Sequence, residues 1–147
     1  MENQAVILEQ LAWPEIAALR ETCGGMLLLP LGATEQHGPH LPVAMDTLLA
    51  EKLCHAASAR TGVPVMSALR YTVSEGHTPK WPGTFSMQHE TFISVLTNLA
   101  DLVCATGWKR LLLVNAHFGH DAPARVAVDK IRLKHFGNLQ VGLANAF

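Results

Sequence analysis

The stretch Leu27 to Asp46, LLLPLGATEQHGPHLPVAMD, joins an apolar run to a loop that carries Glu35, His37, His40 and Asp46. A short apolar run closed by Pro-Leu-Gly reads as a buried strand, and the polar residues after it as a loop leaving that strand's C-terminal end. Glu35 and His37 stand at i and i+2, so an extended segment sends both side chains to the same side. A carboxylate and an imidazole converging from one loop suit a divalent metal such as zinc or manganese, with iron a further candidate. The same pair also fits a solvated loop with a bracing histidine. Asp46 directly precedes the helical pattern TLLAEKLCHAASAR, where it can cap the helix or turn back as a third ligand.

Outward from that stretch the chain alternates. A short strand around Val6 to Leu8 and a helix opened by Trp13-Pro14 and running to about Arg20 come before it. After it, the pattern predicts a helix over Thr47 to Arg60 ended by Gly62, a strand over Val63 to Leu69, and a long loop from Thr72 to Gln88 holding SEGHTPKWPGT. A helix over His89 to Thr106, a strand over Arg110 to Asn115, the segment AHFGHD, a helix from about Ala122 to Phe136 and a strand over Leu139 to Leu143 complete it. Strands alternating with helices of this length mean crossover units. The expected fold is therefore α/β, a three-layer sandwich with a mostly parallel central sheet flanked by helices, formed by one domain over residues 1–147.

In such sheets ligands collect outside the C-terminal ends of the strands. TEQHGPH and NAHFGHD both fall at that edge, so His117 is expected to join Glu35, His37 and Asp46 as a metal ligand, although a histidine after a buried strand can also be a satisfied core residue. His120 reads equally as a bracing residue, a substrate contact or a helix-start residue, and its place three residues after His117 makes it a candidate ligand or proton carrier. Glu75, His77 and Trp81 in the long loop are candidates to line the substrate pocket, with loop scaffolding the alternative. His55, His89 and His135 lie in or beside helical patterns and are expected at the surface.

Bulk composition narrows the classes. A formal net charge of -1 and 49% hydrophobic residues over 147 residues argue against nucleic acid as a partner and against disorder. The apolar runs are too short to cross a bilayer, and the start MENQAVILEQ lacks the basic opening and cleavage site of a signal peptide, so a cytoplasmic location is expected. Cys23, Cys54 and Cys104 form an odd set without a C-x-x-C spacing, which fits reduced thiols.

LPLGATEQHGPHLP with the Asp46 helix behind it, SEGHTPKWPGT, and VNAHFGHDAPA after a strand together resemble the creatininase family of metal-dependent amidohydrolases. That family includes creatinine amidohydrolases, a formamide hydrolase of flavin-precursor biosynthesis and the mycofactocin peptidase. The resemblance implies a dinuclear site in which Glu35, His37, Asp46 and His117 match ligand positions, with Asp46 in the place of the bridging carboxylate. It also implies hydrolysis of a C–N amide bond in a cyclic amide, formamide or peptide by a metal-activated water.

The chain departs from the family at the third segment. The usual N-G-H-G-G-N reads Asn115-Ala116-His117-Phe118-Gly119-His120, and Gly119 stands where creatinine amidohydrolases place a glutamate on the second metal. Other members take a glutamate and a proton-moving histidine from a later H-A-G-E motif, so the resemblance is to the N-terminal part of a member, truncated at its C-terminus. Two functions are therefore expected: an amidohydrolase holding one or two ions, or a catalytically inactive or partner-dependent metal-binding fragment. Poorly covered strands at Leu111 to Val114 and Leu139 to Leu143 lead to the expectation of a homo-oligomer.

Overall fold

The computed structural model describes residues 4–147; residues 1–3, which open the segment read for a leader, lie outside it. Three strands, β1 (Met26–Leu31), β2 (Arg110–Asn115) and β3 (Gln140–Asn145), form a parallel sheet in the order β1-β2-β3, with Leu27 opposite Leu111 and Leu111 opposite Val141. Four α-helices connect and cover it: α1 (Trp13–Thr22), α2 (Met45–Thr61), α3 (His89–Ala105) and α4 (Asp121–Lys134). Pro14 lies in the first turn of α1, and Glu15 Oε2 accepts the backbone N–H of Ala12 at 2.8 Å. Gly62 closes α2 at φ 72°, a left-handed turn that glycine enters without a Cβ clash.

The alternation of the strands divides the core. Leu27, Leu29 and Leu31 of β1 and Leu111 and Leu113 of β2 face one way, onto Phe92, Leu96, Ala100 and Val103 of α3 and Ala124, Ala127, Val128 and Ile131 of α4. The other face puts Leu28 with Cys54 of α2 and Val65, and leaves Leu112 and Val114 only partly covered. Leu48, Leu49 and Leu53 of α2 are exposed. Among the described residues no helix is long and apolar enough to cross a membrane.

The segment 63–69 is not the regular strand expected of it. It runs beside β1 with isolated parallel bridges, Leu28 to Val65 and Leu31 to Leu69, three residues on one side against four on the other. The reason lies in β1. Leu28 and Gly32 donate their N–H groups toward this segment, to Pro64 and Leu69, but Pro30 between them has no N–H to give. The ladder breaks there, and the extra residue bulges out. The expected strand at Val6 to Leu8 is likewise one bridge, Ile7 to Val65, followed by a 3-10 turn at Leu8–Gln10.

Two close approaches set the geometry of the sheet's C-terminal edge. Gly32, just past β1, lies so near the first turn of α2 that a Cβ would meet the Thr47 backbone N at 2.7 Å. Thr47 Oγ1 in turn donates to the Ala33 carbonyl at 2.9 Å. The start of α2 is thereby pinned over the end of β1, which carries Asp46 toward the loop that follows the strand.

Candidate metal centre

Glu35 follows β1 in a loop held on both sides. Its N–H donates to the Val43 carbonyl, Thr34 bridges to Phe85, and the N–H of Gln36 donates to Thr84 Oγ1 at 3.0 Å. Glu35 is buried, and His37, two residues on, is half-buried. Their side chains come together with that of Asp46: each offers one ligand atom, and the three atoms lie within 4.8 Å of one another. Asp46 does not cap α2. It sits in the first turn behind Ala44, with no side-chain bond to the helix end.

His117 joins this group from the end of β2. Its N–H donates to Asn115 Oδ1 at 2.9 Å. The 3-10 turn Phe118–His120 then bends the chain into α4. The imidazole is 5% exposed as a residue, with Nδ1 2.8 Å from Asp46 Oδ2 and 3.3 Å from Glu35 Oε1. Asp46 thus stands between two histidines, because its Oδ1 is 3.2 Å from His37 Nε2.

Both rings are held by their other nitrogen. His117 Nε2 lies 2.8 Å from the Val73 carbonyl, and His37 Nδ1 lies 3.2 Å from the Glu35 carbonyl. A carbonyl only accepts, so each of these nitrogens is the donor, and each neutral ring turns a bare lone pair toward the carboxylates. Asp46 Oδ2 is buried and, despite its closeness to His117, has no aligned hydrogen bond among the described residues. Carboxylate oxygens and imidazole lone pairs crowded at 2.8–3.3 Å repel unless a positive charge lies among them. A divalent cation fits that donor set, since histidines that bind metal commonly give their second N–H to a carbonyl. Without a cation the same role falls to a proton. Burial pulls the His117 pKa down, but Asp46, Glu35 and the Val73 carbonyl together raise it above its ordinary value.

His120 occupies a different place. It is fully buried behind His117, with its ring 5.0 Å from that of His117 and stacked on Phe92 at 4.8 Å. Neither ring nitrogen has a partner among the described residues, and burial, followed by the nearby His117, pushes its pKa down to about 3. It is neutral at physiological pH and does not line the cleft.

The cleft above the cluster has a volume of about 810 Å³ and is lined by Glu35, His37, Asp46, His117, Glu75 and His77, with Phe118 and Phe147 at its rim. Trp81 reaches it only through His77, whose ring it meets edge-on at 5.6 Å. His89, expected at the surface, also borders the cleft, 3.5 Å from Glu75 Oε2. His135 departs from the same expectation, as it is largely covered and pairs with Asp101 at 2.7 Å. His40 is exposed. A second cleft of equal volume lies at the opposite strand ends, lined by Lys109, Arg110 and Arg132, and contains no carboxylate or imidazole. The chemistry is gathered at the C-terminal edge, where a parallel sheet gathers its ligands. The sequence reading missed Val73 and Ser74, which hold the far side of His117; nothing in their residue types marks that role.

A parallel α/β sheet with carboxylates and histidines at this edge defines a class, and the comparisons identify it. The chain belongs to the creatininase family: the family model described as creatinine amidohydrolase matches residues 9–146. The creatinine amidohydrolase of Pseudomonas putida is 31% identical over 120 residues, covering 79% of this chain and 46% of that protein. Among solved structures, a Zn-Zn form of a Glu-to-Gln creatininase mutant superposes with a TM-score of 0.81 at 28% identity, over 96% of this chain and 58% of that one. A creatininase described as the Mn form gives 0.82 at 26% identity, over 96% and 58%. The chain spans less than half the length of the curated relatives it matches.

Proposed function

We propose that this chain is a metal-dependent hydrolase of a C–N amide bond, with Glu35, His37, Asp46 and His117 as ligands of zinc or manganese, one or two ions in number. The single observation that carries this reading is the pair of bare imidazole nitrogens, His37 Nε2 and His117 Nδ1, turned onto the two oxygens of Asp46. The Zn-Zn and Mn forms of structurally similar creatininases support those metals. When bound, the ion supplies a Lewis acid that activates water near neutral pH and polarises the amide carbonyl.

The residues of the chain divide the remaining work. Asp46 spans the two histidines and fixes their separation. Val73 and the Glu35 carbonyl hold the rings in the tautomers that leave those nitrogens bare. Glu75 and His89, at the mouth of the cleft, are the groups placed to pass a proton to the leaving nitrogen. His120, with no atom on the cleft wall, acts as a positioning residue that backs the His117 ring. Creatinine, formamides and short peptides are the substrates to try, in a cytoplasmic protein with reduced thiols.

A second reading, a metal-binding chain completed by a partner or without turnover, is favoured by one feature. Phe118, which lines the cleft, is 76% exposed, an apolar ring that a partner surface would cover. A second copy of the chain is the partner proposed, and a monomeric mass by light scattering at micromolar concentration speaks against it.

Metal analysis of the purified protein, with ammonia-release and ring-opening assays, separates the two. Bound metal with turnover supports the hydrolase, and bound metal without turnover supports the second reading. No bound metal after reconstitution overturns both.

A further inference from the structure

We propose that His77 is a third imidazole ligand of the metal centre, bound together with Glu35. The inference rests on the reading of this cleft as a metal centre and extends its ligand set to a residue outside the Glu35, His37 and Asp46 group.

The geometry of Glu35 repeats that of Asp46. Glu35 Oε1 lies 3.3 Å from His117 Nδ1, and its Oε2 lies 3.1 Å from His77 Nδ1. With Asp46 between His117 and His37, the cluster becomes an unbroken alternation: His77, Glu35, His117, Asp46, His37. Each carboxylate has an imidazole nitrogen at both oxygens. His77 Nδ1 is itself buried and has no aligned hydrogen bond among the described residues, although the ring as a whole is partly exposed. A buried nitrogen 3.1 Å from a carboxylate oxygen with no aligned hydrogen bond carries the same unmet demand for a cation that marks Asp46 Oδ2.

The loop bearing His77 is built to hold it there. His77 ends the 3-10 turn Glu75–His77, and its N–H donates to the Ser74 carbonyl at 3.1 Å. Ser74 is tied to the centre: its N–H donates to Ser86 Oγ at 2.8 Å, and its Oγ lies 3.3 Å from His117 Nε2. Trp81 closes the outer side of the His77 ring, and the Lys80 ammonium lies 4.7 Å above the indole. The ring therefore reaches Glu35 from a short segment anchored at both ends of its approach, which is how a ligand from a loop keeps its position.

Cobalt(II) titration of the metal-free full chain tests this, since its visible absorption reports the coordinating nitrogens. The wild type, His77→Ala, His77→Gln, His37→Ala and the control His55→Ala are compared, with circular dichroism to show that each is folded. Both His77 variants are expected to lose more affinity than the roughly 10–100-fold typical of an outer hydrogen-bond partner and to change the visible spectrum. His55→Ala is expected to match the wild type. A His77→Ala protein with wild-type affinity, or with weaker binding and an unchanged spectrum, overturns the assignment while His37→Ala still loses the ion. A wild type that binds no cobalt overturns the metal-centre reading itself.

Discussion

His117 donates from Nε2 to the carbonyl of Val73 at 2.8 Å, and that bond fixes which nitrogen faces the carboxylates. Gly119 is what leaves room for it. A Cβ at Gly119 would fall 2.5 Å from His117 Nε2 and 3.0 Å from the Val73 oxygen, inside the bond itself. Any side chain here must displace the ring or the Val73 backbone. Gly119→Ala is therefore expected to weaken zinc binding by roughly 10–100-fold, as loss of an outer partner of a ligand histidine does. Competition with a chromophoric chelator measures this, and unchanged affinity would show that the Val73 bond does not orient the ring. Gly119→Glu is expected to fare no better, because its side chain starts with the same Cβ.

Asp46 carries the crowding of the site, so its charge should be visible in thermal melts. A ligand that binds only the folded chain stabilises it by about 2.7 kcal/mol at one hundred times its dissociation constant. For a chain of this size that amounts to a rise of roughly 5–10 °C. The wild type is expected to show such a rise with zinc, and Asp46→Asn is expected to melt without it. A full zinc-induced rise in Asp46→Asn would remove Asp46 from the proposed ligand set.

The order of elements was legible because apolar spacing and glycine stops act locally. β1 and β2 fall where the pattern of Met26 to Leu31 and Arg110 to Asn115 places them. The segment 63–69 was misread because its regularity depends on the donors of another strand, and the missing donor is at Pro30. At the site, carboxylate and imidazole in a loop after a strand were readable as chemistry. The meeting of Glu35, His37, Asp46 and His117 followed from the parallel sheet, which brings all strand ends to one edge. What held them was not readable. The Val73 carbonyl and Asn145 act through backbone position and through a neighbour 30 residues away, and neither leaves a mark in local spacing.

Far from the site, Asp101 on α3 binds Lys134 Nζ and His135 Nε2 at the end of α4, both at 2.7 Å. Lys134 first, then His135, hold its carboxyl below its ordinary value of 3.8. A depressed carboxyl stabilises the fold above its unfolded pKa and loses that contribution as pH falls through the lower, folded one. Asp101→Asn is thus expected to be less stable than the wild type at pH 7, by no more than about 1 kcal/mol because the group is solvent-screened. The gap should close as the pH drops below 3.8 and narrow in high salt. Urea melts at neutral and acid pH decide it, and a gap independent of pH would mean that packing, not charge, links the helices.

A second polar chain reaches His117 from the end of β3. Asp121 Oδ1 accepts from Asn145 Nδ2 at 2.8 Å, Asn145 Oδ1 accepts from Asn115 Nδ2 at 3.1 Å, and Asn115 Oδ1 accepts the His117 N–H at 2.9 Å. Asn115 is fully buried, so its amide must be satisfied by these partners. Arg125 fixes the outer end by binding Asp121 Oδ2 at 2.9 Å. Asn145→Ala leaves the buried Asn115 amide with an unmet donor, free to turn and release the His117 backbone. The expected cost is about 1–3 kcal/mol in stability together with weaker zinc binding. The two readouts distinguish the roles of the bond. Lost stability with wild-type zinc affinity would make it a strut between β2 and β3, whereas a loss in both places Asn145 in the support of the proposed metal centre.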